Sequence, residues 1–504
     1  MHSQSTSRES PRIAVTLPRE PLQADNLIGG AFCRSASGRS REIVSPYDGR
    51  VIAQVGLSGT AEVDAAVAAA QRAWPAWAAS PLRDRAKVLA RFRELALAAI
   101  DDLANTVAVE SGKTPDEARA GIQRGLEVVD FALSLPISDA GGALEVSRGV
   151  TCEYRREALG VVAGITPFNF PAMIPLWMFP IALMVGNAFI LKPSEKVPLS
   201  ACRLGELLMQ AGCPPGVFSI VQGDSEAALA LADHPMVRAI GFVGSSAVAR
   251  TIYARAAASG KRALCLGGAK NAVIVAPDAD ERLTIQGVLD SFTGCAGQRC
   301  MAVSLLVAVG DAGRFVEKIA EAAGRIRPGF DMGALIDRQA RERIGRAIGE
   351  AEGQGAVALA DGRRAPAPEG YEGGAWIGPT VLDRARPEME CARVELFGPV
   401  LTVLRVATLD EAMSIDHAGK YGNATSVFTT SGAVARYVSE RAVSGMVGVN
   451  VGVPVPRDPF SFGGTRDSKL GHGDMTGPGA VEFWSDLKKI TTKWALQPDA
   501  NWMS

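Results

Sequence analysis

Histidine is scarce in this chain: His2, His234, His417 and His472 are the only four in 504 residues. So dispersed a set predicts no metal site. The eight cysteines, at positions 33, 152, 202, 213, 265, 295, 300 and 391, include no Cys-x-x-Cys pair. With no secretory leader in view, they are expected to be reduced thiols of a cytoplasmic protein. Neither sign of charge dominates. With 53 Lys and Arg against 54 Asp and Glu, the chain lacks the footprint of a nucleic-acid or anionic-membrane binder. No Gly-x-Gly-x-x-Gly follows a candidate strand, so the standard dinucleotide fingerprint is missing. Internal repeats and sustained heptads are missing as well.

Residues 1–24 read as a polar, poorly ordered extension. They have no apolar centre of the kind a signal peptide needs, and Glu9 and Glu20 speak against a mitochondrial presequence. Residues 158–191 carry no charge, which raises the question of a membrane span. Pro171, Pro175 and Pro180 crowd the first half of this run and Gly186-Asn187 breaks its end, so it reads better as strand, loop, buried helix and strand.

What is present is the composition of a soluble enzyme, 47% hydrophobic and 21% charged, on a chain too long for one core. Residues 41–57 alternate around Asp48-Gly49 and read as a hairpin. Residues 61–77 and 82–111 have helical spacing. Short apolar runs follow at 161–165, 188–191, 218–221 and 239–243. They alternate with helical patterns at 171–185, 199–210, 226–232 and 246–258. That alternation predicts parallel strands with crossover helices, a doubly wound sheet. A second α/β series begins near residue 272, with strands at 273–275 and 304–309 and helices at 283–292, 313–325 and 338–352. Residues 361–374, rich in Gly and Pro, read as a surface loop. Residues 481–492 alternate in part and suggest an exposed strand that pairs elsewhere.

The residues with the clearest chemistry are Gly297-Gln298-Arg299-Cys300. A cysteine on such a turn, after a helical run, is a candidate exposed nucleophile, and the adjacent guanidinium is expected to favour its thiolate. Cys295 is the nearest rival. Upstream stands Leu266-Gly267-Gly268-Ala269-Lys270-Asn271.

Together these words resemble the aldehyde dehydrogenase superfamily, in which Glu-Leu-Gly-Gly-Lys precedes the nucleophilic cysteine. The glutamate that usually activates the hydrolytic water is replaced here by Leu266. The resemblance implies two doubly wound α/β domains with a small oligomerisation strand arm. The NAD-binding domain would span 25–139 and 158–269, the catalytic domain 270–478, and the arm 140–157 and 479–497. It also implies homodimers or homotetramers. Asn169, in Thr166-Pro167-Phe168-Asn169-Phe170-Pro171, matches the oxyanion asparagine. Lys192 and Glu195, in Lys192-Pro193-Ser194-Glu195-Lys196, match the residues that grip the adenosine ribose, and Lys196 is counted with them. A carboxylate there favours NAD over NADP. Gly244 and Ser245 match the turn at the pyrophosphate. Glu395 and Phe397 match the pair at the nicotinamide end, and Thr166, Phe168 and Gly267 line the same cleft.

Within the superfamily, residues 25–495 resemble the CoA-acylating methylmalonate-semialdehyde dehydrogenases most. Shared words include Trp177-Met178-Phe179-Pro180 and Gly448-Val449-Asn450. That resemblance implies a small carboxylated aldehyde held by two arginines, matching Arg124 and Arg299. Coenzyme A would accept the acyl group, with decarboxylation to propionyl-CoA or acetyl-CoA. The alternatives are an aldehyde dehydrogenase that releases a free acid, and an inactive binding or structural protein of this fold. Residues 454–473, with Arg457 and Arg466, are expected to shape the aldehyde pocket.

Overall fold

A computed structural model describes residues 15–139 and 141–494. Five apolar runs form the parallel heart of an eight-stranded sheet. Their order across it is Arg262–Leu266, Val237–Val243, Val161–Ile165, Ala188–Lys192 and Phe218–Ile220. Lys469–Gly471 closes one edge antiparallel, and Asn26–Ile28 with Ala31–Cys33 closes the other. Nearly every residue of these central strands is buried, because helices cover both faces. The strand order reverses between Val161–Ile165 and Val237–Val243. Ligands of open α/β sheets bind at the carboxyl ends beside such a reversal.

A second, seven-stranded sheet runs Val357–Ala360, Thr380–Asp383, Val400–Val406, Val303–Val309, Asn271–Val275, Ala424–Phe428 and Met446–Val449. It is parallel except for its first strand. The expected fold class, α/β with two doubly wound sheets, is the one observed. The hairpin is also present, as Ser40–Val44 paired with Val51–Gly56.

The uncharged 158–191 run resolves into strand, loop, helix Met173–Met184 and strand, and every residue of that helix is buried. Burying each large side chain there contributes roughly 1.5–3 kcal/mol. Among the described residues no helix is long and apolar enough to cross a membrane. Helix Pro115–Ser138 lies against Met173–Met184. At the contact, a Cβ on Gly125 would meet Leu176 Cδ1 at 2.5 Å, so glycine permits the close approach.

Several expectations need correction. Residues 82–111 form two helices, Leu82–Ala98 and Ile100–Ser111, broken at Ala99. Residues 481–484 close a short helix, Gly477–Trp484, and only Ser485–Lys493 is strand. That strand pairs with Val150–Ala158, which pairs with Gly142–Ser147. Lys469–Gly471 falls within the stretch expected to be catalytic, yet it adds to the first sheet. The part of the expected loose extension that can be seen, residues 15–24, is held in place. Thr16 N–H donates to Asn105 Oδ1 at 2.7 Å, and Leu22–Ala24 pairs with Val51–Gly56. Residues 1–14, 140 and 495–497 of the expected extension and arm lie outside the described residues.

Candidate active site

The nucleophile turn sits at the amino ends of the second sheet's strands, just before Val303–Val309. It faces the loops that leave the carboxyl ends of the first sheet. The turn is built tightly. Cys295 and Ala296 have φ of 52° and 51°, left-handed values that cost an L-residue about 1–2 kcal/mol each. Gly297 follows at φ 69°, and a Cβ there would lie 2.2 Å from the Gly398 carbonyl. No other residue type lets the 395–399 loop pack so closely on the turn.

Three side-chain amides pin the turn. The Asn271 amide donates to the carbonyls of Cys300 (2.7 Å) and Ala302 (3.0 Å), and Asn423 donates to that of Cys300 at 2.9 Å. Gln298 Oε1 accepts from Ile336 N–H at 3.0 Å. The sequence shows Asn271 within a motif but gives it no role, and nothing local in it marks Asn423, an amide that reaches across to another strand.

Cys300 is half-buried against an apolar cluster that contains Leu266 and Met301. Burial pushes its thiol up to about 12, and the nearby Glu395 charge adds to this. The N–H groups of Cys300 and Met301 and the Arg299 charge oppose it weakly. The Arg299 charge thus acts in the expected direction, favouring the thiolate, but burial outweighs it. Arg299 turns back on the helix Glu281–Thr293, where its Nη2 donates to the carbonyls of Asp290 (2.5 Å) and Ser291 (2.9 Å), while its Nε is buried without a partner. Cys295 is no rival at the surface: it is buried under the turn, 2.8 Å from Lys113 Nζ.

Asn169 is buried and donates from Nδ2 to the Gln298 carbonyl at 2.9 Å, which sets its amide beside the nucleophile turn. In the role the resemblance implies, its second N–H would face an oxyanion. Asn169→Ala is expected to lower kcat by about 10²–10³-fold with a small change in KM, measured by steady-state NADH formation. A change confined to KM would show that the amide binds substrate only.

Of the expected cofactor residues, Thr166, Phe168, Lys192, Glu195, Lys196, Gly244, Ser245 and Gly267 lie at the carboxyl ends of the first sheet's strands, and Glu395 and Phe397 come from the loop before Val400–Val406 of the second sheet. Thr166 Oγ1 is buried and has no partner. Lys192 is buried, and desolvation lowers its pKa against the opposing charges of Glu195 and Asp224; its Nζ is 3.6 Å from Glu195. Glu195 also meets Arg41 at 3.7 Å. Lys196 ion-pairs with Asp337 at 2.6 Å and lies over the Phe168 ring. Phe168 and Phe397 meet edge to face, centroids 5.7 Å apart. Gly244 N–H donates to the Leu266 carbonyl, and Gly267 is wedged between Ser246 and Asp467. Ser245 precedes helix Ser246–Ala258 without capping it through its side chain, which leaves amino-terminal N–H groups free for an anion. Glu395 accepts from Ala269 N–H. Burial raises it to about 7, against the lowering charges of Lys270 and Arg343.

Arg124 is ion-paired to Glu127 at 2.6 Å. The 454–458 stretch comes to the same place: Arg457 is 3.9 Å from Glu127, and Asp458 feels the charges of Glu127 and Arg124. Arg124 and Arg299 thus hold different partners, and a shared grip on one carboxylate requires Arg299 to leave the Asp290 and Ser291 carbonyls.

A thiol pinned on a turn opposite a buried amide, beside a doubly wound sheet with an open helix terminus, is the arrangement of an enzyme that oxidises carbonyl carbon. The chain belongs to the aldehyde dehydrogenase family, whose model matches residues 32–490. It is 44% identical over 486 residues to the mitochondrial acylating methylmalonate-semialdehyde dehydrogenase of Arabidopsis thaliana, covering 95% of this chain and 80% of that protein. Malonate-semialdehyde dehydrogenase 3 of Geobacillus kaustophilus (strain HTA426) is 42% identical, over 93% of this chain and 98% of the relative. A Sinorhizobium meliloti 1021 structure in complex with NAD superposes with a TM-score of 0.93 at 39% identity, covering 95% of this chain and all of that one (100%).

Proposed function

We propose that this enzyme oxidises a small carboxylated aldehyde of the methylmalonate or malonate semialdehyde type with NAD and passes the acyl group from Cys300 to coenzyme A. The observation that carries this reading is Leu266. It ends its strand buried in the apolar cluster that Cys300 borders, and it offers no proton acceptor where the family's hydrolytic base stands. The homology to acylating and malonate-semialdehyde enzymes supports the substrate class.

NAD fits the residues present. The orphaned Thr166 hydroxyl, the Lys192–Glu195 pair and the uncapped helix at Ser245 supply the donors and acceptors that a ribose and a pyrophosphate use. Bound there, NAD accepts the hydride. Cys300 Sγ attacks the aldehyde carbon as its thiolate, the thiol proton having passed to solvent. Asn169 Nδ2 and the Cys300 N–H hold the oxyanion of the thiohemiacetal. Loss of hydride leaves a thioester on Cys300, and the thiol of coenzyme A displaces it with little need of a base. A β-carboxylate acyl group can lose CO2 before or at that step, giving propionyl-CoA or acetyl-CoA. The catalytic unit is assigned to 270–478 apart from the strand Lys469–Gly471, which joins the NAD-binding unit of 25–139 and 158–269, and the arm to 140–157 and 479–497. A cytoplasmic homodimer or homotetramer, joined through the arm, completes the proposal.

A second reading rests on Glu395. With its pKa near neutrality and its charge felt at Cys300, it offers a base for water and release of free acid. Product analysis decides. Acyl-CoA, formed only when coenzyme A is supplied, supports the first reading. Free acid as the sole product, at NADH rates indifferent to coenzyme A, overturns it.

Two expected results test the carboxylate site. Arg124→Ala should raise KM for carboxylated aldehydes, by about 2–3 kcal/mol in apparent binding, far more than for neutral aldehydes of equal size. An equal effect on both would remove Arg124 from recognition. Asp458 is the second group there. Burial, then the Glu127 charge, raise it to about 6 against the lowering charge of Arg124, so below that pH it is neutral and above it competes for Arg124. KM for a carboxylated substrate should therefore rise as pH increases from 5 to 7, and Asp458→Asn should flatten the profile. A slope that persists in the variant assigns the titration elsewhere.

A further inference from the structure

Beneath the nucleophile turn lies a cluster that the reaction does not use. Lys113 and Cys295 are both buried, and Lys113 Nζ is 2.8 Å from Cys295 Sγ. Sulfur is larger than oxygen, so an ordinary N–H···S contact is longer than an N–H···O bond of about 2.9–3.0 Å. This pair is closer than that. Lys113 Nζ also stands 4.0 Å over the Phe170 ring, which fixes the ammonium from the other side. Glu117 completes the group. Its Oε1 accepts from Cys295 N–H at 2.5 Å and its Oε2 from Thr114 N–H at 3.0 Å. A small cavity bounded by Lys113, Glu117, Gly121, Phe170 and Met173 adjoins the pair.

Both partners are placed to act on the site. Cys295 is the first left-handed residue of the turn that ends in Cys300. Lys113 follows Gly112 at the corner between helices Ile100–Ser111 and Pro115–Ser138. Phe170, against which Lys113 stacks, is the neighbour of Asn169. A bond between the two would tie the nucleophile turn to the helix corner, with the oxyanion loop leaning on the same lysine.

We propose that Lys113 and Cys295 form a reversible oxidative cross-link in which one oxygen atom bridges Nζ and Sγ, and that this cross-link switches the enzyme off. The oxidant is dioxygen. The thiol loses its S–H hydrogen and the ammonium loses two of its N–H hydrogens. S–O and O–N bonds form, and the second oxygen atom leaves as water with release of one proton. Sulfur and nitrogen each give up two electrons, matching the four that dioxygen accepts. Two equivalents of a dithiol reverse the reaction, restoring thiol and amine and releasing the bridging oxygen as water. The short contact supplies the proximity for this chemistry, because a near-attack arrangement replaces a bimolecular encounter.

The experiment uses full-length enzyme held in air-saturated buffer and a matched anaerobic, reduced sample. Peptide mapping by mass spectrometry should find the Lys113 and Cys295 peptides joined in the aerobic sample, with about 14 Da added, one oxygen gained and two hydrogens lost. Dithiothreitol should remove the link. NADH formation should fall by roughly tenfold to a hundredfold on oxidation, a loss typical of a small misplacement of reacting groups, and recover on reduction. Cys295→Ala and Lys113→Arg should keep their activity through the same treatment; arginine preserves the charge over Phe170 but cannot bridge. The proposal is overturned if Cys295 is recovered only as free thiol, sulfenic or sulfinic acid, or as a direct S–N bond about 2 Da lighter than the reduced pair. It is also overturned if the linked enzyme turns over normally, or if both variants are inactivated like the parent.

Discussion

Cys300→Ser is expected to abolish NADH formation, by about 10⁴-fold or more, while NAD still binds. Serine preserves the volume and the capacity to accept the N–H bonds of residues 300 and 301, so the turn should stand. What it loses is nucleophilicity, since an alkoxide is far harder to generate than a thiolate. The wild-type thiol is itself pushed up to about 12 by burial and the Glu395 charge. The reaction therefore depends on sulfur's intrinsic reactivity in a site that does little in advance to ionise it. Cys295 cannot substitute, being held under the turn by Lys113 and Glu117. Single-turnover absorbance at high enzyme concentration, paired with NAD titration by fluorescence quenching, makes the measurement. A variant turning over within about tenfold of the parent would remove this residue from covalent catalysis.

Without coenzyme A, the wild-type enzyme should release a burst of NADH equal to its active sites and then nearly stall. Leu266→Glu should replace the stall with steady release of free acid. A positioned general base is worth about 10²–10⁴-fold, so the variant's CoA-independent rate should rise by that order. The introduced carboxylate would sit among the apolar side chains around Cys300, which raises its pKa toward neutrality and suits it to take a proton from water. Leu266→Gln separates chemistry from perturbation, since it is polar without being a base. Steady CoA-independent turnover by the parent, unchanged in the glutamate variant, would defeat the argument from Leu266.

How much of this was legible depended on whether the signal was local. The buried parallel strands read as unbroken apolar runs, and Val161–Ile165 was read to the residue. So were helices Leu199–Gln210 and Ser246–Ala258. The break at Ala99 carries no glycine or proline; its one sequence mark is the Asp101-Asp102 pair at the start of a new helix. Helix Pro115–Ser138 has no counterpart among the elements read from the sequence, although Thr114-Pro115 with Glu117 spells a capping box that the structure forms. Side-chain direction was the least legible. Arg299 next to Cys300 in sequence predicts a charge at the sulfur, and that charge is felt there, but its guanidinium is anchored on the carbonyls of Asp290 and Ser291 and burial of the thiol outweighs it. Which carbonyls lie within reach is decided by tertiary packing, and no spacing rule encodes it.

The left-handed winding of residues 295–297 has a wider consequence. A segment bent against its own chirality behaves like a sprung catch: it keeps its shape only while Glu117, Asn271, Asn423 and the Gly398 loop press on it from outside. Slackening any of these supports, even one far along the chain from position 300, would let the catch relax and carry the sulfur out of register. Catalytic alignment should therefore fail before the fold does, with activity fading at temperatures where the two sheets are still intact.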